Sequence, residues 1–175
     1  MLVFLSSVAW PTVIGAKERG PDLLKAAYIE KFTRFAEWPD ASTVNEPDEP
    51  FVLCVAGPDP FHTALDELVK ITPVKDKRAV VLYQIDETQV GRCNLLFVPA
   101  SKSSQLESIL EHTRGRPILT VGDTPGYAER GIIINLFGQG DRLRFEVNVD
   151  ALHASGLTLS SRLLQLARVL GAKAP

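Results

Sequence analysis

A chain of 175 residues, 45% hydrophobic and 23% charged, has the composition of an ordinary globular domain long enough to bury a full core. Its formal charge of -2, with acids and bases interleaved, leaves no basic stripe for a nucleic-acid backbone and argues against that class of partner. One domain is expected, with no repeat, linker or low-complexity segment after residue 20.

The opening MLVFLSSVAWPTVIGA carries no charge until Lys17. The apolar run from Leu2 to Ile14 is too short to span a bilayer but has the length of a signal-peptide core, and Gly15 and Ala16 offer a small-residue cleavage site. Residues 1–20 are therefore read as a signal peptide, truncated at its start because the usual basic region is missing; residues 21–175 form the domain. A buried strand or helix is the alternative, and Pro11 in its middle disfavours it.

Asp22 is expected to cap a helix that places Leu24, Tyr28, Phe32 and Phe35 on one face and ends where Trp38 precedes Pro39. Residues 40–50 form a loop. FVLCVA, Phe51 to Ala56, is a continuous apolar run stopped by Gly57 and Pro58, the pattern of a central strand buried on both faces. Asp59 and Pro60 open a helix through Phe61, Leu65, Leu68 and Val69. Strands follow at Ala79 to Ile85 and Leu95 to Val98, then a helix from Ser103 to His112, then strands at Pro117 to Val121 and Gly131 to Phe137. The glycine-rich turn Gly138 to Asp141 signals an antiparallel hairpin into Leu143 to Val147, where apolar residues alternate with Arg142, Arg144 and Glu146. From Ser160, Leu163, Leu166, Ala167 and Leu170 recur at helical spacing and predict a C-terminal helix. The whole is a three-layer α/β domain: a mixed sheet with a parallel βαβ portion of about four strands and a C-terminal antiparallel hairpin, flanked by helices.

Chemical motifs are largely absent. There is no G-x-S-x-G, H-E-x-x-H, G-x-x-x-x-G-K-[ST] or G-x-G-x-x-G, and His62, His112 and His153 stand apart without metal spacing. No catalytic residue, metal or cofactor is called for, and an enzyme is not expected. The cysteines Cys54 and Cys93 lack C-x-x-C spacing; in an exported chain an even pair suggests a disulfide, with two buried thiols in adjacent strands as the alternative.

The segments AAYIEKFTRFAEWP, FVLCVAGPDPF, CNLLFVPAS, PILTVGD, GIIINLF and RFEVNVDALHASGLTLSSRLLQLA, in this order across about residues 23–170, resemble the YfiR family. The helix ending in Trp-Pro, the asparagine of the F-E-x-N strand and the S-S-R-L-L segment carry the resemblance together. It implies a periplasmic, non-enzymatic regulatory protein of Gram-negative bacteria that binds and represses the periplasmic domain of an inner-membrane diguanylate cyclase, lowers cyclic-di-GMP signalling and so acts on biofilm formation. It also implies a homodimer, and a redox response through a cysteine pair at the positions of Cys54 and Cys93. A second pair found in some relatives is replaced here by Ala128 and Asn135.

The partner surface is expected at the end of the hairpin, at Glu146, Asn148 and Leu152, where a strand end meets an apolar residue in a connecting segment. The same residues read structurally as a solvated strand position, a helix cap and core. A different class keeps the sheet but makes the protein a small-molecule binder or enzyme, with a pocket at the strand carboxyl ends near Gly57, Ala100 and Asp123. A third is an accessory envelope protein that assembles with itself.

Overall fold

A computed structural model describes residues 19–171, so that the expected signal segment lies outside the described residues except for Arg19 and Gly20. These two begin helix α1 (Arg19–Phe35), with Pro21 in the first turn, where its missing N–H leaves no intrahelical bond unmade. Asp22 lies within that turn, and its carboxylate pairs with His62 Nδ1 at 3.0 Å. The buried face is Ala26, Ile29, Phe32 and Thr33, whereas Leu24 and Phe35, expected on that face, are exposed.

Seven strands form one sheet in the order β3-β2-β4-β5-β6-β7-β9. They are β2 (Phe51–Val55), β3 (Ala79–Leu82), β4 (Leu95–Val98), β5 (Leu119–Gly122), β6 (Ile134–Gln139), β7 (Arg142–Asn148) and β9 (Arg168–Leu170). The run from β3 to β6 is parallel, β6 and β7 are the antiparallel hairpin, and β9 lies parallel to β7. A separate two-residue antiparallel pair joins β1 (Ala36–Glu37) to β8 (Thr158–Leu159). The FVLCVA strand is thus second from the edge, not central, but both its faces are covered as its composition demands.

Side-chain alternation splits the interior into two layers. Leu53, Val55, Leu95, Phe97, Leu119, Val121, Phe145 and Val147 point to the side carrying α1 and α2 (Ala64–Ile71). Cys54, Ala56, Leu96, Val98 and Tyr127 pack on the other side beneath α3 (Leu106–Thr113). Each buried Leu, Val or Phe contributes about 1.5–3 kcal/mol relative to exposure, so the alternation alone fixes strand register. The 3-10 segment Glu87–Arg92 before β4 is set by a capping box, with Asp86 accepting from Thr88 and Gln89 N–H while the Gln89 side chain accepts from Asp86 N–H. Lys77 ties down the loop after α1, its ammonium donating to the carbonyls of Thr43, Glu46 and Glu49.

The C-terminal region departs from the predicted long helix. Asn148 starts a helix, α4 (Val149–Ser155), that ends at Gly156 with φ 74°, a left-handed position suited to glycine. The expected helix from Ser160 is only α5 (Ser161–Leu164), capped by the Ser160 hydroxyl; the chain then extends into edge strand β9. Arg168 lies opposite Glu146 in register, and pairing with it outweighs the helical spacing of Leu166, Ala167 and Leu170.

Candidate functional site

Two groups of residues stood out in the sequence, one at the carboxyl ends of the parallel strands and one around the end of β7. At the strand ends, Gly57 is buried with φ 153°, and a Cβ there would stand 3.3 Å from Pro99 Cγ and 3.5 Å from Ser101 Oγ. Its backbone is used as well: Gly57 N donates to Val55 O and Gly57 O accepts from Gln84 N, both at 2.9 Å. Ala100 is exposed and opens a 3-10 segment (Ala100–Gln105). Asp123 accepts from Lys25 Nζ at 2.7 Å, so its carboxylate is neutralised by α1. Tyr127 closes the region from below, its hydroxyl donating to Pro99 O at 3.1 Å. The structure therefore sets Gly57 against the segment holding Ala100, while Asp123 faces a lysine; the three do not converge polar groups on a shared opening.

Around β7 the picture is of an interior, not a surface. Glu146 is 2% exposed and Leu152 3% exposed, so neither offers area to a partner in this fold, contrary to the expected contact surface. Asn148 is half-buried and acts as the cap of α4, its Oδ1 accepting from Ala151 N at 2.9 Å while Nδ2 donates to Ala128 O at 2.7 Å. Leu152 is core. Glu146 Oε1 accepts from Asn135 Nδ2 at 3.0 Å, and its Oε2 accepts from Arg168. The same Asn135 amide donates to Thr124 O at 3.0 Å. Arg168 also lies over the Phe137 ring, 5.0 Å from its centroid. A carboxylate removed from water needs this set of donors, since desolvation of an unpaired charge costs several kcal/mol. Asn135 and Arg168 were missed from sequence. The usable signal was Asn135 itself, a lone amide in the apolar run GIIINLF that must find a partner on a neighbouring strand.

On the opposite face of β7 lies a groove of about 670 Å³ between α1, β7 and α5. Tyr28, Phe32, Phe35, Leu143, Phe145 and Leu166 give it an apolar lining. Its floor is an aromatic cluster, with Tyr28 to Phe32, Phe32 to Phe145 and Tyr28 to Phe145 centroids at 5.9, 5.1 and 6.4 Å. Lys31, Arg34 and Arg144 stand along it, and Arg34 pairs with buried Glu30 at 2.5 Å.

Cys54 and Cys93 form a disulfide, 39 residues apart, joining β2 to the start of β4 within the layer beneath α3. The titration shifts lie elsewhere. The Arg130 guanidinium holds Glu107 below the usual carboxylate range, and hydrogen bonds from Thr88 do the same for Asp86. Burial, with a hydrogen bond to Asp66, pushes the Tyr83 hydroxyl up. Among the described residues no cluster of three or more His, Cys, Asp or Glu could hold a metal ion, and no helix is long and apolar enough to cross a membrane.

Two solved structures share the fold. The crystal structure of a conserved domain protein from Vibrio cholerae O1 biovar El Tor str. N16961 matches with a TM-score of 0.53 at 14% identity, over 85% of this chain and 60% of that one. The ABC domain in complex with L-Trp from Streptococcus pneumoniae matches with a TM-score of 0.50 at 8% identity, over 81% of this chain and 59% of that one. The chain thus spans about 60% of the length of the solved structures it matches, and at these identities the likeness is one of fold. The family comparison reaches further: the YfiR/HmsC-like model matches residues 22–168, from the first turn of α1 to the first residue of β9. The chain belongs to the YfiR/HmsC-like family.

Proposed function

We propose that this protein is a non-enzymatic regulator in the periplasm that binds the periplasmic domain of an inner-membrane diguanylate cyclase and holds cyclic-di-GMP synthesis low. The observation that carries this reading is the family match over residues 22–168, which takes in nearly every described element. The Cys54–Cys93 bridge supports it, because disulfides persist in oxidising compartments such as the periplasm. The active unit in this reading is a homodimer. The strand-end pocket has less support, because Gly57 is packed against Pro99 and Ser101 and Asp123 is paired with Lys25.

Release of the cyclase is a shift between two populations of the repressor, and the signal must bind or stabilise one of them preferentially. Reduction of the bridge is one such signal. Cys54 is fully buried and Cys93 is 4% exposed, so a reductant reaches the bond only through local opening, and the response would be slow compared with that of an exposed pair. The test is affinity purification of tagged protein from periplasm and solubilised membranes, with and without reductant, alongside measurement of cellular cyclic-di-GMP after deletion of the gene. The expected result is co-purification of a membrane diguanylate cyclase and a rise in the nucleotide on deletion. Recovery of no cyclase in either redox state, with unchanged cyclic-di-GMP, overturns the reading.

A further inference from the structure

We propose that the groove between α1 and β7 is the docking site for an acidic amphipathic segment of the partner protein; the inference rests on the repressor reading and names the surface that would serve it. The first observation is apolar exposure. Phe35 and Leu166, 36% and 69% exposed, are two of the few large hydrophobic residues left in contact with solvent among the described residues, and both line this groove. Val169, 50% exposed, stands on the edge strand β9 opposite Val147 of β7.

The second observation is charge. Lys31 and Arg144 make no ion pair among the described residues, whereas the groove's buried acid, Glu30, is paired to Arg34. An occupant therefore meets an apolar floor flanked by uncompensated positive charge. A helix that lays Leu or aromatic residues at i, i+3 or i+4 and i+7 on the floor, with Asp or Glu beside them, satisfies both at once. A second copy of the chain fits less well, because a two-fold interface built on this patch sets Lys31 and Arg144 of both copies in one contact. A small molecule fits less well too. Sites for small ligands carry converging polar groups that fix orientation, and the buried polar side chain here is already engaged by Arg34.

The experiment compares wild type with the double variant Lys31→Glu and Arg144→Glu, and with Leu166→Ala. The probe is the purified periplasmic domain of the diguanylate cyclase that co-purifies with the wild-type protein. The charge-reversal variant is expected to bind at least about tenfold more weakly at low salt and to show the opposite salt dependence, binding no longer weakening as salt screens the charges. Leu166→Ala is expected to weaken binding while keeping the wild-type salt dependence, as suits loss of an apolar contact. Circular dichroism and the unfolding midpoint of both variants should match wild type, since all three side chains are partly or largely exposed. Undiminished binding by both variants overturns the groove while leaving the repressor reading intact. A change from dimer to monomer by light scattering with binding unchanged assigns the groove to a second copy and also overturns the proposal. So does a small molecule retained by wild type in native mass spectrometry and lost from the charge-reversal variant with partner binding intact. If wild type binds no cyclase domain, the repressor reading and the groove fall together.

Discussion

The two halves of the sheet are held by different physics. In β2, β4 and β5 the strands are almost wholly apolar and covered on both faces, and the Cys54–Cys93 bond ties β2 to the segment entering β4. From β6 to β9 the hairpin leads into short elements, and hydrogen bonds of particular side chains hold them together: Glu146 holds Asn135 and Arg168, Asn148 caps α4 and grips Ala128 O, and Ser160 caps a four-residue helix. The contrast teaches that the first half is stable by area and the second by pairing. Area tolerates single substitutions of like volume; pairing does not, because each partner removed leaves a buried polar group without its mate.

The contrast breaks most visibly at the disulfide. Cys54→Ser with Cys93→Ser should lower stability by about 4 kcal/mol in the chain-entropy account for a loop of this length, read as a drop in urea midpoint that reductant reproduces in the wild type and not in the variant. Because the sheet is continuous, that loss should be felt by both halves. Arg168→Ala tests the second half alone. A fully buried pair that loses one member costs about 3–5 kcal/mol; with Arg168 58% exposed, a loss of about 1–3 kcal/mol is expected, with amide exchange accelerating in β7 and β9 while β2 and β4 stay protected. Uniform acceleration across the sheet would show the division to be wrong.

Asn148→Ala should cost about 1–2 kcal/mol from the lost cap of α4 and the lost bond to the Ala128 carbonyl, which keeps only Gly131 N, and Asn148→Asp, which keeps the cap acceptor but not the amide donor, should recover part of it in thermal unfolding. The smallest effect is that of pH. Glu107 and Asp86 have carboxyls lowered by Arg130 and Thr88, so the stability they contribute is present at neutral pH and is lost as pH falls below the ordinary carboxylate range, about 4. Both are at the surface, so Glu107→Gln should flatten the acid limb of the midpoint–pH curve only slightly.

The apolar half was legible because its signal is redundant. FVLCVA announces a strand buried on both faces, AVVL, LLFV and LTVG announce further strands, and Gly138 and Gly140 announce the hairpin. The shift of the parallel run from four strands to five follows from β6 serving both it and the hairpin, a matter of topology that local pattern does not encode. The C-terminal third read wrongly where local periodicity competes with a distant partner. Leu163, Leu166, Ala167 and Leu170 fit a helix, yet Arg168 sits opposite Glu146, 22 residues earlier in the chain, and a buried carboxylate outranks a stripe of spacing. The same blind spot made Glu146 look like a surface residue. In a strand of alternating pattern a charge normally faces water, and only the amide of Asn135 and the guanidinium of Arg168 make the inward position tenable. The bridge between Cys54 and Cys93 was one of two open readings, since spacing says nothing of which strands are neighbours.

The small pairing of β1 with β8 has a kinetic meaning. Ala36 meets Leu159 and the Ser160 amide donates to Phe35 O at 2.9 Å, contacts that close a loop of more than a hundred residues with only a few bonds in return. Such a contact gains nothing until the strands between are in place, so its formation belongs at the end of folding. A fluorescent pair placed at Glu37 and Thr158, both exposed, would then report completion of the native state, lagging behind the signals of the β2–β4 core and vanishing first when the molecule begins to open.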